Sequence, residues 1–154
     1  MEQSETAEKL VKLLKKKNLT VTTAESCTGG MVAAKIINVP GASDVFDQGY
    51  ITYSNKSKRK ILDVSKATLK KYGAVSEQTA REMALGGVLA ADADACVAVT
   101  GLAGPDGGTE EKPVGLVYIA VSVRGQMYVE EHHFEGDRTE VRESTVQAAL
   151  ALLK

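Results

Sequence analysis

At 154 residues, with 44% hydrophobic and 25% charged residues and a formal net charge of −1, the chain has the balance of one globular domain, spanning 1–154, with a single sizeable core. Such a composition excludes a disordered or polycationic protein, and the near-neutral charge gives no global pull towards nucleic acid. No apolar run approaches transmembrane length, the polar, acidic residues 1–5 are unlike a signal peptide, and Cys27 and Cys96 lack metal-site spacing; a cytoplasmic location, no membrane contact and reduced thiols are expected.

The first predicted helix is capped by Ser4 and gathers Leu10, Val11, Leu13 and Leu14 on one face. Lys12, Lys15, Lys16 and Lys17 crowd its C-terminal half, where the helix dipole favours cations, and Asn18 ends it. Residues 19–24 read as the first strand, and apolar residues at helical spacing predict a helix from 31 to about 38. Between them, Glu25-Ser26-Cys27-Thr28-Gly29-Gly30 brings a hydroxyl, a thiol and a second hydroxyl to a helix N-terminus. Unpaired backbone N–H groups there suit a phosphate or an oxyanion formed in acyl transfer, and Gly29 and Gly30 let the backbone approach a ligand closely. The plainer alternative is that Ser26 or Thr28 merely caps the helix.

Turn residues 39–43 and a short irregular or helical link over 44–48 lead to a predicted strand at 49–54, then Asn55 as the cap of a helix over 56–62. If these strands are neighbours with their C-terminal ends at one edge, Tyr53 and the first-turn lysines face Ser26 across an open crevice, the usual ligand position in α/β sheets. Lys56, Lys58, Arg59 and Lys60 read equally well as a solvated basic face. Ser65 and Ser76 start helices over 66–72, closed by Gly73, and 77–91, with Ala80, Met83, Ala84, Leu85, Val88 and Leu89 as an apolar stripe. Gly86 and Gly87 within it suggest close helix packing.

Residues 95–100 form a near-continuous apolar run, the pattern of a strand buried on both faces. It enters the glycine-dense loop 101–109, which is neither a Walker loop nor a Gly-x-Gly-x-x-Gly fingerprint; its use is close backbone contact with a ligand, or simply a mobile surface. Residues 114–124 and 127–135 predict an antiparallel hairpin, in which adjacent His132 and His133 point to opposite faces and share no metal. Asp137 caps a final helix over 138–152, with Val141, Thr145, Ala148, Ala149 and Leu152 on its core face and Arg138 and Arg142 one turn apart near its start, able to reach an anion together. The elements assemble as a three-layer α/β domain, its mixed sheet mainly parallel and ending in the hairpin, with helices on both faces.

Four ordered motifs then stand out: Thr22-Thr23-Ala24-Glu25-Ser26-Cys27-Thr28-Gly29-Gly30; Tyr53-Ser54-Asn55 with Lys58; Thr100-Gly101-Leu102-Ala103-Gly104-Pro105-Asp106-Gly107-Gly108 with Glu111-Lys112-Pro113-Val114-Gly115; and Gly136-Asp137-Arg138 with Val141-Arg142. Together they closely resemble the CinA C-terminal family, also called the PncC amidohydrolase family, over essentially the whole chain. The resemblance implies nicotinamide-nucleotide amidase activity, converting nicotinamide mononucleotide and water to nicotinate mononucleotide and ammonia in pyridine nucleotide recycling. It also implies self-association, and a stand-alone amidase without the molybdopterin-binding-like domain of longer members.

Amide hydrolysis needs an activated nucleophile, an oxyanion site and a proton for the departing ammonia. The strand pair His132 and His133 offers no Ser-His-Asp arrangement, which leaves a Ser-Lys scheme without metal or cofactor. In it Ser26 attacks, Lys58 takes its proton and Tyr53 relays or donates one; the resemblance places the same roles on these residues. Burial, or the neighbouring Lys56, Arg59 and Lys60, must lower the Lys58 pKa for this. Amides after Ser26 would hold the oxyanion. Thr28, Gly29, Gly30, Thr100, Gly101, Gly104, Asp106, Gly107 and Arg142, helped by Arg138, would hold the nucleotide. Cys27 competes as nucleophile, and Lys56 or Lys60 as base. A non-catalytic nucleotide-binding module is the competing function; RNA binding through the lysine cluster is disfavoured by charge and by few aromatic residues.

Overall fold

The computed structural model describes residues 2–153. In chain order its elements are α1 (Glu2–Lys17), β1 (Val21–Glu25), α2 (Met31–Ile37), β2 (Tyr50–Ile51), α3 (Asn55–Leu62), α4 (Lys66–Tyr72), α5 (Glu77–Ala91), β3 (Ala95–Gly101), β4 (Leu116–Val123), β5 (Gln126–His133) and α6 (Arg138–Leu153). The sheet order is β2-β1-β3-β4-β5, with β2, β1 and β3 parallel and β4 and β5 added antiparallel at one edge. Arg124 and Gly125, both at positive φ, make the tight turn that suits the right-handed twist of the β4–β5 hairpin.

Two cores divide the helices between the faces. Leu10, Val11 and Leu14 of α1, Val32 and Ile36 of α2, and Val141, Val146 and Leu150 of α6 pack on one side against Val21, Val97, Val99 and Ile119. On the other, Leu62, Leu69, Ala80, Met83 and Ala84 pack against Ala24, Cys96, Ala98 and Ala120. β3 is therefore apolar throughout because it is covered on both faces, as the sequence predicts. The chain leaves β1 into α2 on the first face and leaves β2 into α3 on the second. A crevice opens between the C-terminal ends of adjacent strands whose connections diverge in this way, and Ser26 follows β1 directly.

Several local expectations are corrected. α1 begins at Glu2, so Ser4 lies within its first turn and is not its cap. The first strand runs 21–25 and not 19–24; β2 is only two residues long and not the predicted 49–54, because the chain turns away to start α3. That helix is capped by Ser54, not Asn55: Ser54 and Ser57 exchange side-chain-to-backbone hydrogen bonds in a capping box, and Asn55 becomes its first helical residue. Ser65, Ser76 and Asp137 act as caps as expected, Asp137 in a reciprocal pair with Glu140. Leu85 and Leu89 face outward, 51% and 73% exposed, because α5 turns Ala80, Met83, Ala84 and Gly87 inward instead. On α6 the buried residues include Val146 and Leu150, whereas Ala148 and Leu152 are only partly buried.

Gly86 and Gly87 are packing glycines. A methyl on Gly86 would lie 1.9 Å from the carbonyl oxygen of Leu62, and one on Gly87 2.5 Å from Cys96 Sγ. Alanine is favoured over glycine in a helix by about 1 kcal/mol, but the Leu62 neighbour is backbone and cannot rotate aside. Overlap wins, and Gly86→Ala is expected to destabilise the fold by roughly 1–3 kcal/mol, read as a lower urea midpoint. An unchanged midpoint would mean that α3 and α5 separate freely. Among the described residues no helix is long and apolar enough to cross a membrane.

Candidate active site

The Ser26 turn is built by Glu25. This last residue of β1 is 1% exposed, and its carboxylate accepts hydrogen bonds from the Thr28 hydroxyl at 2.6 Å and from the amides of Gly30, Val32 and Ala33 at 2.9–3.1 Å. It thereby occupies the N-terminus of α2, whose first residues have no capping hydroxyl. Thr28 and Gly30 consequently serve the helix start, and α2 does not present its free N–H groups to a ligand. Neither Ser26 nor Thr28 is its cap. Two amides escape this arrangement: neither the Cys27 N–H nor the Thr28 N–H donates to another residue among the described residues.

Lys58 arrives from the neighbouring unit. The capping box of α3 fixes the start of that helix, and Lys58, one turn in, is 1% exposed. Its Nζ donates to Ser26 Oγ at 2.9 Å and to the Thr52 carbonyl at 2.8 Å. The Thr52 amide in turn donates to the Glu25 carbonyl at 2.8 Å, so β1 and β2 remain tied just where the pair forms. Burial lowers the Lys58 pKa from 10.5 to about 8, opposed by Cys27. The neighbouring cations are not the cause. Lys56, Arg59 and Lys60 are exposed and line a separate surface groove, so neither lysine is placed to replace Lys58.

A cleft of about 300 Å³ surrounds the pair. Ser26, Cys27, Tyr53, Lys58, Thr100, Gly101, Gly104, Asp106 and Arg138 contribute to its lining, together with apolar Ala74, Val75, Leu102 and Ala103. Arg138 bridges two walls, donating to the Gly104 carbonyl at 2.6 Å and to the Tyr53 hydroxyl at 3.0 Å. Tyr53, 64% exposed, is held there and has no hydrogen bond to Ser26 or Lys58; the expected proton relay is not assembled. Thr100 donates to the Ala74 carbonyl at 2.8 Å, tying the end of β3 to the segment before α5. Gly29, Gly30, Gly107, Thr28 and Arg142 are not part of the lining. Arg142 instead donates to the carbonyls of Cys27 and Thr28 from behind the turn, so Arg138 and not Arg142 faces the cleft.

Burial pushes the Cys27 thiol up to about 11, which keeps it protonated near neutrality and makes it a poor rival to Ser26. If Ser26 is the nucleophile, Cys27→Ala is expected to retain turnover within a few-fold, measured as the initial rate of ammonia release from nicotinamide mononucleotide, the substrate that the family resemblance implies; loss of all activity would transfer the nucleophile to Cys27. His132 and His133 pair with Glu130 and Glu131 on β5, away from the cleft, and no cluster of three or more His, Cys, Asp or Glu among the described residues could hold a metal. Sequence reasoning missed the roles of Glu25 and the Thr52 carbonyl. The signal for the first was the absence of a Ser, Thr, Asp or Asn immediately before α2.

This is a three-layer α/β protein with a Ser-Lys pair in the crevice at the parallel edge of its sheet. A family model described as the CinA C-terminal domain matches residues 3–154, and the chain belongs to that family. Its structure resembles the competence/damage inducible protein CihA of Agrobacterium tumefaciens, with TM-score 0.97 and 44% identity, covering 99% of this chain and 94% of that one. A CinA superfamily protein of Escherichia coli is similar at TM-score 0.95 and 40% identity, covering 98% of this chain and 88% of that one. A CinA-like protein of Kosmotoga olearia is 52% identical over 145 residues, which are 94% of this chain and 35% of that protein. The chain thus spans about a third of the length of the curated relatives it matches.

Proposed function

We propose that the chain is an amidase that hydrolyses the carboxamide of nicotinamide mononucleotide to nicotinate mononucleotide and ammonia. The observation that carries this reading is the 2.9 Å contact between Ser26 Oγ and the Nζ of a lysine that burial has brought to a pKa of about 8. In the unprotonated fraction the bond reverses, with the Ser26 hydroxyl donating to Nζ. Lys58 takes that proton as Ser26 Oγ bonds to the carboxamide carbon, and the negative charge moves to the carboxamide oxygen near the Thr28 amide. Collapse of the tetrahedral species breaks the C–N bond, and Lys58 returns the proton to the leaving nitrogen. Water, deprotonated by the same amine, then splits the acyl-enzyme to release the carboxylate. A single amine serves both directions, so Tyr53 is not needed as a relay.

Support for the substrate class comes from the family resemblance and from the cleft's division of labour. Ala74, Val75 and Leu102 offer an apolar wall for a flat ring, while Arg138, Asp106 and the amides of Ala103 and Gly104, which have no partner among the described residues, offer groups for a phosphate and a ribose. The test is ammonia release, with identification of the product, from metal-stripped protein given nicotinamide mononucleotide. Stoichiometric ammonia and nicotinate mononucleotide are expected. Tight binding without turnover would make the chain a nucleotide-binding module.

A further inference from the structure

The Ser26 turn is gripped from two sides. Glu25 holds Thr28 Oγ1 and the start of α2. Behind it, Arg142 of α6 donates through Nε to the Cys27 carbonyl at 2.9 Å and through Nη2 to the Thr28 carbonyl at 3.3 Å. Arg142 does not line the cleft, although the spacing of Arg138 and Arg142 suggests two anion-binding arginines. A trans peptide is planar and carries its C=O and N–H on opposite sides, and the Cys27–Thr28 bond is trans. The guanidinium that fixes the Cys27 carbonyl therefore also fixes the Thr28 N–H, pointing it away from α6. That N–H has no other partner among the described residues. A backbone donor left unpaired next to a nucleophilic serine, with its plane locked by a cation, is how an oxyanion site is preorganised.

We propose that Arg142 is a positioning residue for catalysis: by holding the Cys27 and Thr28 carbonyls it aims the Thr28 N–H at the oxyanion formed when Ser26 attacks. This rests on the amidase reading and deepens it. Arg142 touches no substrate; its positive charge also polarises the peptide it holds, strengthening the donor on the far side.

The test compares the native chain with Arg142→Gln and Arg142→Lys on nicotinamide mononucleotide and on nicotinamide riboside, which lacks the phosphate. Losing an oxyanion donor lowers kcat by about 10²–10³-fold, so misaiming one is expected to cost kcat on the order of 10–100-fold, equally on both substrates and with KM unchanged. Arg142→Lys keeps the charge but loses the two-pronged grip, and is expected to recover thermal stability more fully than kcat. A raised KM for the mononucleotide alone would make Arg142 a phosphate ligand and overturn the proposal. A lowered melting temperature with native kcat would make it purely structural and also overturn it.

A second readout separates this proposal from the substrate assignment. A fluorophosphonate labels an activated serine by forming an O–P bond as fluoride leaves, and its P=O oxygen uses the same donor. Slower Ser26 labelling in Arg142→Gln supports the proposal even if the native chain leaves nicotinamide mononucleotide intact. Equal labelling rates, or no labelling of Ser26 in the folded native chain, overturn it. If Arg142→Gln does not fold, Arg142→Lys is read by the same criteria.

Discussion

Ser26→Ala is expected to stop ammonia release from nicotinamide mononucleotide, with kcat lower by at least about 10⁴-fold, the scale on which serine hydrolases lose activity when the nucleophile is removed. Binding of the mononucleotide should survive. The substitution removes one hydroxyl, leaves the Thr52 carbonyl as acceptor for Lys58, and does not disturb the Glu25 hydrogen bonds that shape the turn. Calorimetric titration of the variant alongside the ammonia assay checks both halves. Retained turnover would remove Ser26 from the chemistry. Cys27 would be the first residue to examine next, since it shares the cleft.

The second large effect is on pH. With Lys58 at about 8, kcat/KM is expected to rise about tenfold per pH unit below that value and to level off above it, because only the unprotonated amine can accept the Ser26 proton. Lys58→Arg keeps a cation but cannot give it up in this range, so activity should be abolished at every pH tested. An acid limb with the same midpoint in residual Lys58→Arg activity would assign it to another group. Stability should follow the same group. The folded pKa lies below the unfolded one, so between about 8 and 10.5 the unfolded chain binds the proton that the folded chain has released. Unfolding free energy therefore rises with pH across that window by on the order of 3 kcal/mol, and the burial cost is fully present below it. Urea titrations at pH 7 and pH 10, comparing the native chain with Lys58→Met, would isolate this contribution.

Much of the layout was legible because it rests on periodicity and punctuation. The unbroken apolar run of β3 announces a strand covered on both faces, and serines ahead of α4 and α5 mark their starts. The pairing of Ser26 with Lys58 was also reachable, since each follows a strand by a few residues and parallel neighbours bring such ends together. What escaped the sequence depends on direction and not on residue type. Arg138 and Arg142 lie one helical turn apart and share a face, yet that turn carries one into the cleft and the other behind the wall. Tyr53 follows a strand only two residues long, where the alternation that predicts side-chain direction has nothing to extend from. Glu25 looks like a polar strand end in the sequence. Its reach to amides five to eight residues ahead exceeds the spacing of a capping box and depends on the fold of the intervening turn.

The glycine at position 86 links the cleft to packing beyond its walls. It lets α5 press on the Leu62 carbonyl at the end of α3, the same short helix that holds the lysine 2.9 Å from the serine. The position of Lys58 is thus gauged by a clearance one turn further along α3, at the Leu62 carbonyl. Tolerance to substitution in this protein should therefore follow mechanical connection to α3 more closely than distance from the substrate. A variant library scored separately for abundance and for turnover would find its well-folded but slow members along that helix-to-helix seam.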